Sequence, residues 1–355
     1  MPKTIRLSHY IVVLLIVAIG CLGLLSLRPT QVTQVEAAPP SVQRGPVRWA
    51  YYVPTANSLA SLRAYADSLT VISPFYFVLK ADGTISGNDQ PEVTQLAHSH
   101  GVKVIPMLQN DQFSAGKEAL HNLLVDPARV RQIIDAIDSQ VYANGYDGYH
   151  IDFENVLAED RPYLTQFMGA LYARLKPKGK LVTMAVAARS RDVTSGWGGS
   201  YDYAGLAPYL DNVVIMAYDY SYAGGLDGPV APINWVNSVA AYAASQFGPG
   251  KVLLGVPFYG YDWNLSQGGL AKAYGYDGTL DVIKRNNGTA GYDELYQQAY
   301  ADYTSNGDSH RIWYETPRGL GAKLNVVKRN NLGGFAAWRL GQEGADFWPV
   351  IKAFQ

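Results

Sequence analysis

Short apolar runs and amphipathic stretches alternate along the chain after residue 46. Eight apolar runs have the length of strands and cover residues 47–53, 71–79, 102–108, 148–154, 181–187, 212–218, 251–259 and 332–340. Helical spacing of apolar residues covers 57–69, 91–100, 117–124, 127–143, 159–175 and 234–247, and a last helical stretch covers 343–353. The alternation predicts parallel strands, and the nearly continuous hydrophobicity of each run predicts burial on both faces.

Eight such units in about 310 residues predict an α/β fold, a (β/α)8 TIM barrel. A doubly wound open sheet is the alternative, although no Gly-rich phosphate loop follows the first strand to support a nucleotide-binding version. The span 261–317, between the seventh and eighth strands, is far longer than an ordinary connection. It is richer in Gly, Asn and Tyr and contains a strand-like run at 311–315, so we expect a small inserted α+β lobe.

The fourth strand, residues 147–154, carries the most informative polar pattern. Because side chains alternate along a strand, His150, Asp152 and Glu154 share one face, and the apolar residues between them share the other. Acids on a strand whose opposite face is apolar suggest a functional site. In a barrel the chemistry lies at the C-terminal ends of the strands, so Glu154 is expected at the mouth with Asp152 and His150 deeper. An edge strand with a solvated charged face is the alternative.

Composition and charge narrow the classes of function. The 355 residues include 29 basic and 30 acidic ones, and the net charge of −1 gives no support to a nucleic-acid partner. Cys21 is the single cysteine, which excludes an intrachain disulfide, and the six histidines show no metal-ligand pattern. We therefore expect neither a metal nor a cofactor. A content of 26 tyrosines with 17% charged residues is typical of extracellular proteins that stack aromatic rings on sugars.

The N-terminus indicates export. Lys3 and Arg6 precede an apolar run of 17 residues, 11–27. This length lies between a signal-peptide core and a full membrane span, so we expect a signal peptide in residues 1–27, with an uncleaved membrane anchor as the alternative. Residues 28–46 contain four prolines and are predicted to be a linker. Either arrangement places the barrel, residues 47–355, outside the cytoplasm, secreted or at the outer face of the membrane or cell wall.

Four motifs resemble those of glycoside hydrolase family 18, which includes chitinases and related glucosaminidases. The pattern D-G-x-x-I-D-x-E over 147–154 resembles the family signature, an eight-residue pattern with fixed acids. The segment 216–219, Met-Ala-Tyr-Asp, is similar to the strand-six motif, and the segment 255–260, Gly-Val-Pro-Phe-Tyr-Gly, is similar to the strand-seven motif. Trp338 occupies the position where the family keeps a tryptophan on strand eight.

The segments 153–161 and 216–232 are most similar to the bacterial branch that acts on spore cortex and peptidoglycan. The resemblance implies a retaining hydrolase of β-1,4 bonds next to N-acetylglucosamine in peptidoglycan or chitin. It implies substrate-assisted catalysis, which departs from the usual two-carboxylate rule of glycosidases.

The resemblance also implies roles for single residues. Glu154 would protonate the glycosidic oxygen, and the 2-acetamido carbonyl of the substrate would act as the nucleophile and form an oxazolinium intermediate. Asp152 would hold the acetamido N–H, and Tyr218 would hydrogen-bond the acetamido oxygen. The implied substrate-binding residues are His150, Met216, Asp219, Tyr259 and Trp338, of which Trp338 would form the floor under the reacting sugar.

His150 departs from the family pattern, which has Asp at this position, or Asn in the cell-wall branch. A histidine there could hydrogen-bond Asp152 and, if protonated, would draw Asp152 toward the ionised state. This predicts an activity that depends on a histidine titration near neutral pH. Thr316 and Gly319 also depart from close relatives, which tend to keep Asp and Ser, and the sequence offers no explanation.

Two other functions are compatible with parts of the sequence. A lectin-like protein on the same fold would bind carbohydrate without cleaving it, usually after loss of the acid, whereas Glu154, Asp152, Tyr218 and Trp338 are all retained here. A surface scaffold anchored by residues 11–27 would bind a wall protein and no sugar. We expect a monomeric enzyme whose partner is an N-acetylglucosamine-containing polysaccharide.

Overall fold

The computed structural model describes residues 45–111 and 116–354. The predicted signal peptide or anchor, residues 1–27, and the predicted linker up to residue 44 lie outside these ranges. Within the described ranges, no helix is both long enough and apolar enough to cross a membrane. The expectations for the N-terminal segment therefore stay predictions.

Eight strand positions close into a parallel barrel, as predicted. In chain order the strands are β1 (Val47–Tyr52), β2 (Val71–Leu79), β3 (Ile85–Gly87), β4 (Lys103–Val104), β5 (Met107–Asn110), β6 (Gly148–Asp152), β7 (Leu181–Ala187), β8 (Asn212–Met216), β9 (Val252–Pro257), β10 (Tyr259–Asn264), β11 (Lys272–Gly275), β12 (Thr289–Asp293), β13 (Gln298–Ser305), β14 (Asp308–Tyr314) and β15 (Gly334–Trp338). The barrel order is β1-β2-β5-β6-β7-β8-β9-β15, and β15 pairs with β1 to close the ring. The short β4 also pairs with β2 and shares the position of β5. This closure excludes the open doubly wound sheet.

Ten α-helices lie in the part of the chain that the structure describes. They are α1 (Ala56–Tyr65), α2 (Pro91–Ser99), α3 (Gly116–Leu124), α4 (Pro127–Ala143), α5 (Arg161–Leu175), α6 (Tyr203–Leu206), α7 (Ile233–Phe247), α8 (Tyr276–Arg285), α9 (Pro317–Arg329) and α10 (Phe347–Lys352). All but α8, which belongs to the inserted lobe, lie between strands of the barrel or after the last one. Local sequence sets their starts: the Asp126 side chain accepts hydrogen bonds from the first N–H groups of α4, and Pro127 occupies its first turn. The helices α6 and α9 were not predicted.

The inserted lobe is a five-stranded antiparallel sheet of order β11-β10-β14-β13-β12, against which α8 packs. The predicted seventh strand divides at Phe258, since β9 ends at Pro257 and the chain then leaves the barrel as β10. Gly260 allows this departure, because a Cβ there would lie 2.4 Å from the carbonyl oxygen of Trp313. The lobe therefore begins before the predicted residue 261, and it ends with β14, just before α9.

The departures at Thr316 and Gly319 have a structural explanation. Thr316 caps α9, and its hydroxyl accepts a hydrogen bond from the Gly319 N–H at 3.1 Å, a role that Asp also fills. Glu315 and Lys323 form a fully buried ion pair at 2.6 Å. A Cβ at position 319 would lie 2.0 Å from Oε1 of Glu315, so Gly319 makes room for this pair.

Two hydrophobic cores lie on the two sides of the barrel wall. The inner core fills the barrel and includes Trp49, Tyr51 and Met107. The outer core, between strands and helices, is much larger and includes Tyr149 and Ile151 of β6. The inward face of each barrel strand therefore contacts the inner core, and the C-terminal ends of the strands are where a barrel of this kind places its chemistry.

Candidate active site

The strand β6 lies within the barrel wall and carries the polar residues His150 and Asp152. It pairs with β5 on one side and β7 on the other, so the edge-strand alternative is wrong. The His150 ring lies 5.2 Å from the ring of Trp49 in the inner core, whereas Tyr149 and Ile151 lie in the outer core. The predicted alternation is confirmed, and Asp152 ends the strand with 8% of its surface exposed.

Glu154 follows β6, and Asn110 holds its backbone. The Glu154 N–H donates to Oδ1 of Asn110 at 2.8 Å, and Nδ2 of Asn110 donates to the Glu154 carbonyl oxygen at 2.9 Å. Asn110 ends the neighbouring strand β5 and is buried. The next residue, Asn155, has a φ of 54°, so the chain turns away directly after the acid. This clamp extends the strand geometry to Glu154. Sequence reasoning missed Asn110, whose one signal is an amide at the end of a barrel strand.

Asp152 is a buried carboxyl beside a second acid. Its Oδ1 has no hydrogen-bond partner among the described residues. Burial first, and then the charge of Glu154, raise the pKa of Asp152 well above its ordinary value. The two carboxyl groups therefore influence each other's protonation. The free Oδ1 is an acceptor that a bound N–H could satisfy.

His150 lies beneath Asp152 and does not bond to it. Its Nε2 lies 3.0 Å from the Tyr51 hydroxyl, and its Nδ1 lies 2.8 Å from Oγ1 of Thr183. The side chain is fully buried, and burial lowers the pKa of His150 to about 3. Two expectations are therefore wrong: a bond to Asp152 and a titration near neutral pH. Contact of the buried His150 with substrate stays a prediction. Both ring nitrogens are occupied within the barrel, and the imidazole stays neutral.

Two tyrosines that line the acids are held in the protonated form. Burial is the largest cause that raises the pKa of Tyr51 and Tyr218 well above 10, and the charges of Asp152 and Glu154 raise both further. Tyr218 follows β8 and is partly exposed. Its hydroxyl therefore remains a hydrogen-bond donor at any working pH, as the resemblance requires.

Asp219 is fixed in an unusual conformation by two phenols. Its φ is 58°, and its Oδ1 accepts hydrogen bonds from the hydroxyls of Tyr259 and Tyr261, the latter at 3.1 Å. Burial raises the pKa of Asp219, and these two hydrogen bonds oppose the rise. Tyr259 is buried and its hydroxyl holds Asp219, and its predicted contact with substrate stays a prediction.

Trp338 ends β15 and is partly exposed. Its ring centroid lies 5.2 Å from that of Tyr51 and 6.0 Å from that of Phe75, so the indole rests on the inner core. Met216 ends β8 and is also partly exposed. The C-terminal ends of β5, β6, β8 and β15 thus contribute to one region that contains the acids, the Tyr218 phenol and a flat indole.

This arrangement offers a paired acid, an unsatisfied acceptor, phenol donors and a flat apolar surface. Within residues 45–111 and 116–354, no group of three or more His, Cys, Asp or Glu side chains is placed to hold a metal ion. The side chains present suit proton donation to a polar leaving group and binding of a flat, N–H-bearing ring.

Comparison with known proteins agrees with this geometry. The sequence pattern of glycosyl hydrolases family 18 matches residues 47–343. The cortical fragment-lytic enzyme of Bacillus cereus is 30% identical over 311 residues, which are 84% of this chain and 71% of that protein.

Solved structures extend the comparison. The Bacillus cereus spore cortex-lytic enzyme SleL has a TM-score of 0.81 at 27% identity, over 89% of this chain and 76% of that chain. The chitinase from Chromobacterium violaceum ATCC 12472 has a TM-score of 0.81 at 25% identity, over 87% of this chain and 98% of that chain. The family match spans every candidate site residue described above, and the chain therefore belongs to glycosyl hydrolase family 18 and is a glycosidase.

Proposed function

We propose that this glycosidase cleaves β-1,4 bonds next to N-acetylglucosamine in peptidoglycan, with retention of configuration and with the substrate's acetamido group as nucleophile. The observation that carries the proposal is Oδ1 of Asp152, a buried acceptor without a partner among the described residues, on the same strand face as Glu154. An acetamido N–H supplies the donor that this oxygen lacks. The cortex-lytic relatives support peptidoglycan, and the chitinase among the similar structures makes chitin the second candidate.

In the first step Glu154 donates its proton to the glycosidic oxygen and the bond from C1 to that oxygen breaks. The acetamido carbonyl oxygen forms a bond to C1 from the opposite face, which gives the oxazolinium ion, and the leaving sugar departs with the proton. Asp152 accepts a hydrogen bond from the acetamido N–H and balances the positive charge. The Tyr218 hydroxyl donates to the acetamido oxygen and orients it.

In the second step the Glu154 carboxylate takes a proton from water as the water oxygen attacks C1. The bond from C1 to the acetamido oxygen breaks, and Glu154 is protonated again for the next cycle. Two inversions at C1 give net retention. The Trp338 indole supports the flat face of the reacting ring during both steps.

Release of reducing ends from purified peptidoglycan and from chitin oligomers tests this proposal. Wild type should release them, Glu154→Gln should not, and Glu159→Gln, an exposed acid on the following turn, should behave as wild type. Equal release by wild type and Glu154→Gln would remove Glu154 from its role. Glycan binding without release by wild type would identify a lectin-like protein. Mass spectrometry of the products decides between the two substrates.

Substrate assistance has its own test. Peptidoglycan from which the N-acetyl groups have been removed keeps its β-1,4 bonds but lacks the acetamido nucleophile, so wild type should not cleave it. Nuclear magnetic resonance of the first product should show the β-anomer. Cleavage of the de-acetylated glycan at an undiminished rate would exclude the acetamido group as nucleophile.

We also propose that the barrel acts outside the cytoplasm as a monomer. The support is the basic residues and the apolar run 11–27 in the sequence. N-terminal sequencing of the exported protein tests whether this segment is removed, and light scattering of the purified protein tests its oligomeric state. A full-length cytoplasmic product would contradict the proposed export, and a stable dimer would contradict the proposed monomer.

A further inference from the structure

The loop between β7 and α6, residues 188–202, presents an exposed indole. Trp197 lies in a run of small residues, Ser195-Gly196-Trp197-Gly198-Gly199, and half of its surface, 50%, is exposed. A tryptophan is among the most favourable side chains to bury, so its exposure is not explained by folding.

Two guanidinium groups fix the backbone on both sides of Trp197. Nη1 of Arg189 donates to the carbonyl oxygens of Val193 at 3.1 Å and Gly198 at 2.9 Å. Nη1 of Arg161 donates to the carbonyl oxygens of Val193 at 3.0 Å and Gly199 at 3.2 Å. These contacts hold the loop in one conformation before any ligand arrives, which lowers the cost of ordering it on binding.

Further contacts reinforce the two guanidinium groups. Arg189 is 7% exposed, and its guanidinium carbon lies 4.1 Å from the ring centroid of Tyr203. Asp192 pairs with Arg189 at 2.9 Å and with Arg161 at 3.0 Å. Burial of a charged arginine costs free energy, so its use to hold this loop indicates that the loop conformation has a function.

The same loop touches the segment that carries the acid. The Tyr201 hydroxyl donates to the carbonyl oxygen of Phe153, the residue before Glu154, at 2.8 Å. At Gly199 the loop approaches the turn after Glu154 so closely that a Cβ would lie 2.9 Å from Cβ of Ala158. The loop that carries Trp197 therefore lies at the barrel mouth, next to the segment that carries the acid.

We propose that Trp197 is a binding platform for a pyranose ring of the glycan chain, outside the cleavage position, and that it sets a preference for long chains. A rigid, flat and apolar indole face is complementary to the C–H face of a sugar ring. The inference rests on the proposed function only in that the ligand is a glycan chain. The platform takes no part in the chemical step. It therefore changes the binding of long substrates and leaves the turnover of short substrates unchanged.

The kinetic test compares Trp197→Ala, Trp197→Phe and Tyr142→Ala on long soluble peptidoglycan strands and on short fragments. Tyr142 is a matched control, since it is 56% exposed but lies on α4, outside the loop. For Trp197→Ala we expect KM on long strands to rise about tenfold and kcat on short fragments to stay unchanged, with partial recovery in Trp197→Phe. A change in KM of less than about twofold, or an equal rise in Tyr142→Ala, overturns the platform.

A binding test separates this inference from the proposed function. Affinity for long strands is measured by calorimetry for Glu154→Gln and for Glu154→Gln combined with Trp197→Ala. About tenfold weaker binding in the double variant supports the platform even if wild type proves to release no reducing ends, an outcome in which only the proposed function fails. Equal affinities overturn the platform while leaving hydrolysis intact.

Discussion

Replacement of Asn110 by Ala should reduce turnover about 100-fold while the barrel stays folded. The two hydrogen bonds to the Glu154 backbone, at 2.8 and 2.9 Å, contribute about 0.5–1.5 kcal/mol each, so the free energy of unfolding should fall by about 1–3 kcal/mol. Turnover falls for a separate reason, because a catalytic group displaced by about 1 Å loses about 10²-fold in rate. KM should change little, since Asn110 holds the acid and not the sugar.

The variant Asn110→Asp adds a pH dependence of activity, which a residue with a purely structural role would not produce. A carboxylate at 110 still accepts from the Glu154 N–H but repels the Glu154 carbonyl oxygen, whereas a protonated carboxyl donates to that oxygen as the amide does. Its activity relative to wild type should therefore recover as the pH falls toward the ordinary carboxyl pKa of about 4.

The assay measures kcat and KM on soluble peptidoglycan fragments, together with urea unfolding. Asn330→Ala is the control, because Nδ2 of Asn330 donates to the Val326 carbonyl oxygen at 2.9 Å at the end of α9, outside the site. This control should lose stability and keep its turnover. If Asn110→Ala loses the expected stability but keeps kcat within about threefold of wild type, the clamp does not position Glu154.

Three further variants test other contacts. His150→Gln should leave the shape of the pH–activity profile unchanged between about pH 5 and 8, because His150 is neutral there. An inflection that is present in the profile of wild type and absent from that of the variant would contradict this. Gly319→Ser should lower the unfolding free energy in urea by about 1–3 kcal/mol, because its Cβ would lie 2.0 Å from Oε1 of Glu315; an unchanged midpoint would contradict it. Asp152→Asn should raise Tm at pH 7 by about 2 °C or more, and less at pH 4. Because the pKa of Asp152 is raised in the folded state, the carboxyl of the unfolded chain loses its proton first as pH rises above about 4. The free energy of unfolding of wild type therefore falls as pH rises above about 4, whereas that of the variant does not. A Tm difference independent of pH would refute that reasoning.

The barrel and the polar row of β6 follow from patterns within short segments. In a strand in which polar residues such as His150 and Asp152 alternate with apolar ones, the polar side chains lie on one face, wherever the strand lies in the sheet. The order of strands and helices then leaves few topologies, because parallel strands need a crossover between them. These features depend on neighbours in the sequence, which is why they could be predicted.

The contacts that orient the site depend on register between distant strands. Asn110 and Glu154 are 44 residues apart, and Tyr51 and His150 are 99 residues apart. A shift of one residue between two strands would turn each of these side chains to the opposite face. The sequence of a single chain does not specify that register, so the His150 titration was inferred from residue type and was wrong.

The helix α9 was missed for a different reason. Its first residues, Pro317-Arg318-Gly319-Leu320-Gly321, contain two glycines that disfavour a helix in isolation. Tertiary packing compensates, because Leu320, Leu324 and Val327 are buried against the barrel. The need to accommodate Glu315 explains why one of these glycines is present.

Hydrogen-bond directions beneath Asp152 explain why its carboxyl group receives no hydrogen bond from the groups below it. The Thr183 hydroxyl donates to the carbonyl oxygen of Tyr149 at 3.3 Å, because a carbonyl can only accept. Oγ1 of Thr183 therefore accepts from the Nδ1–H of His150, and the neutral ring leaves Nε2 to accept from the Tyr51 hydroxyl. Tyr51 then has no proton to offer Asp152. The Asp152 carboxylate receives no hydrogen bond from these groups below it, and burial raises its pKa. Under the proposed function, the N–H that stabilises its charged form comes from the bound sugar.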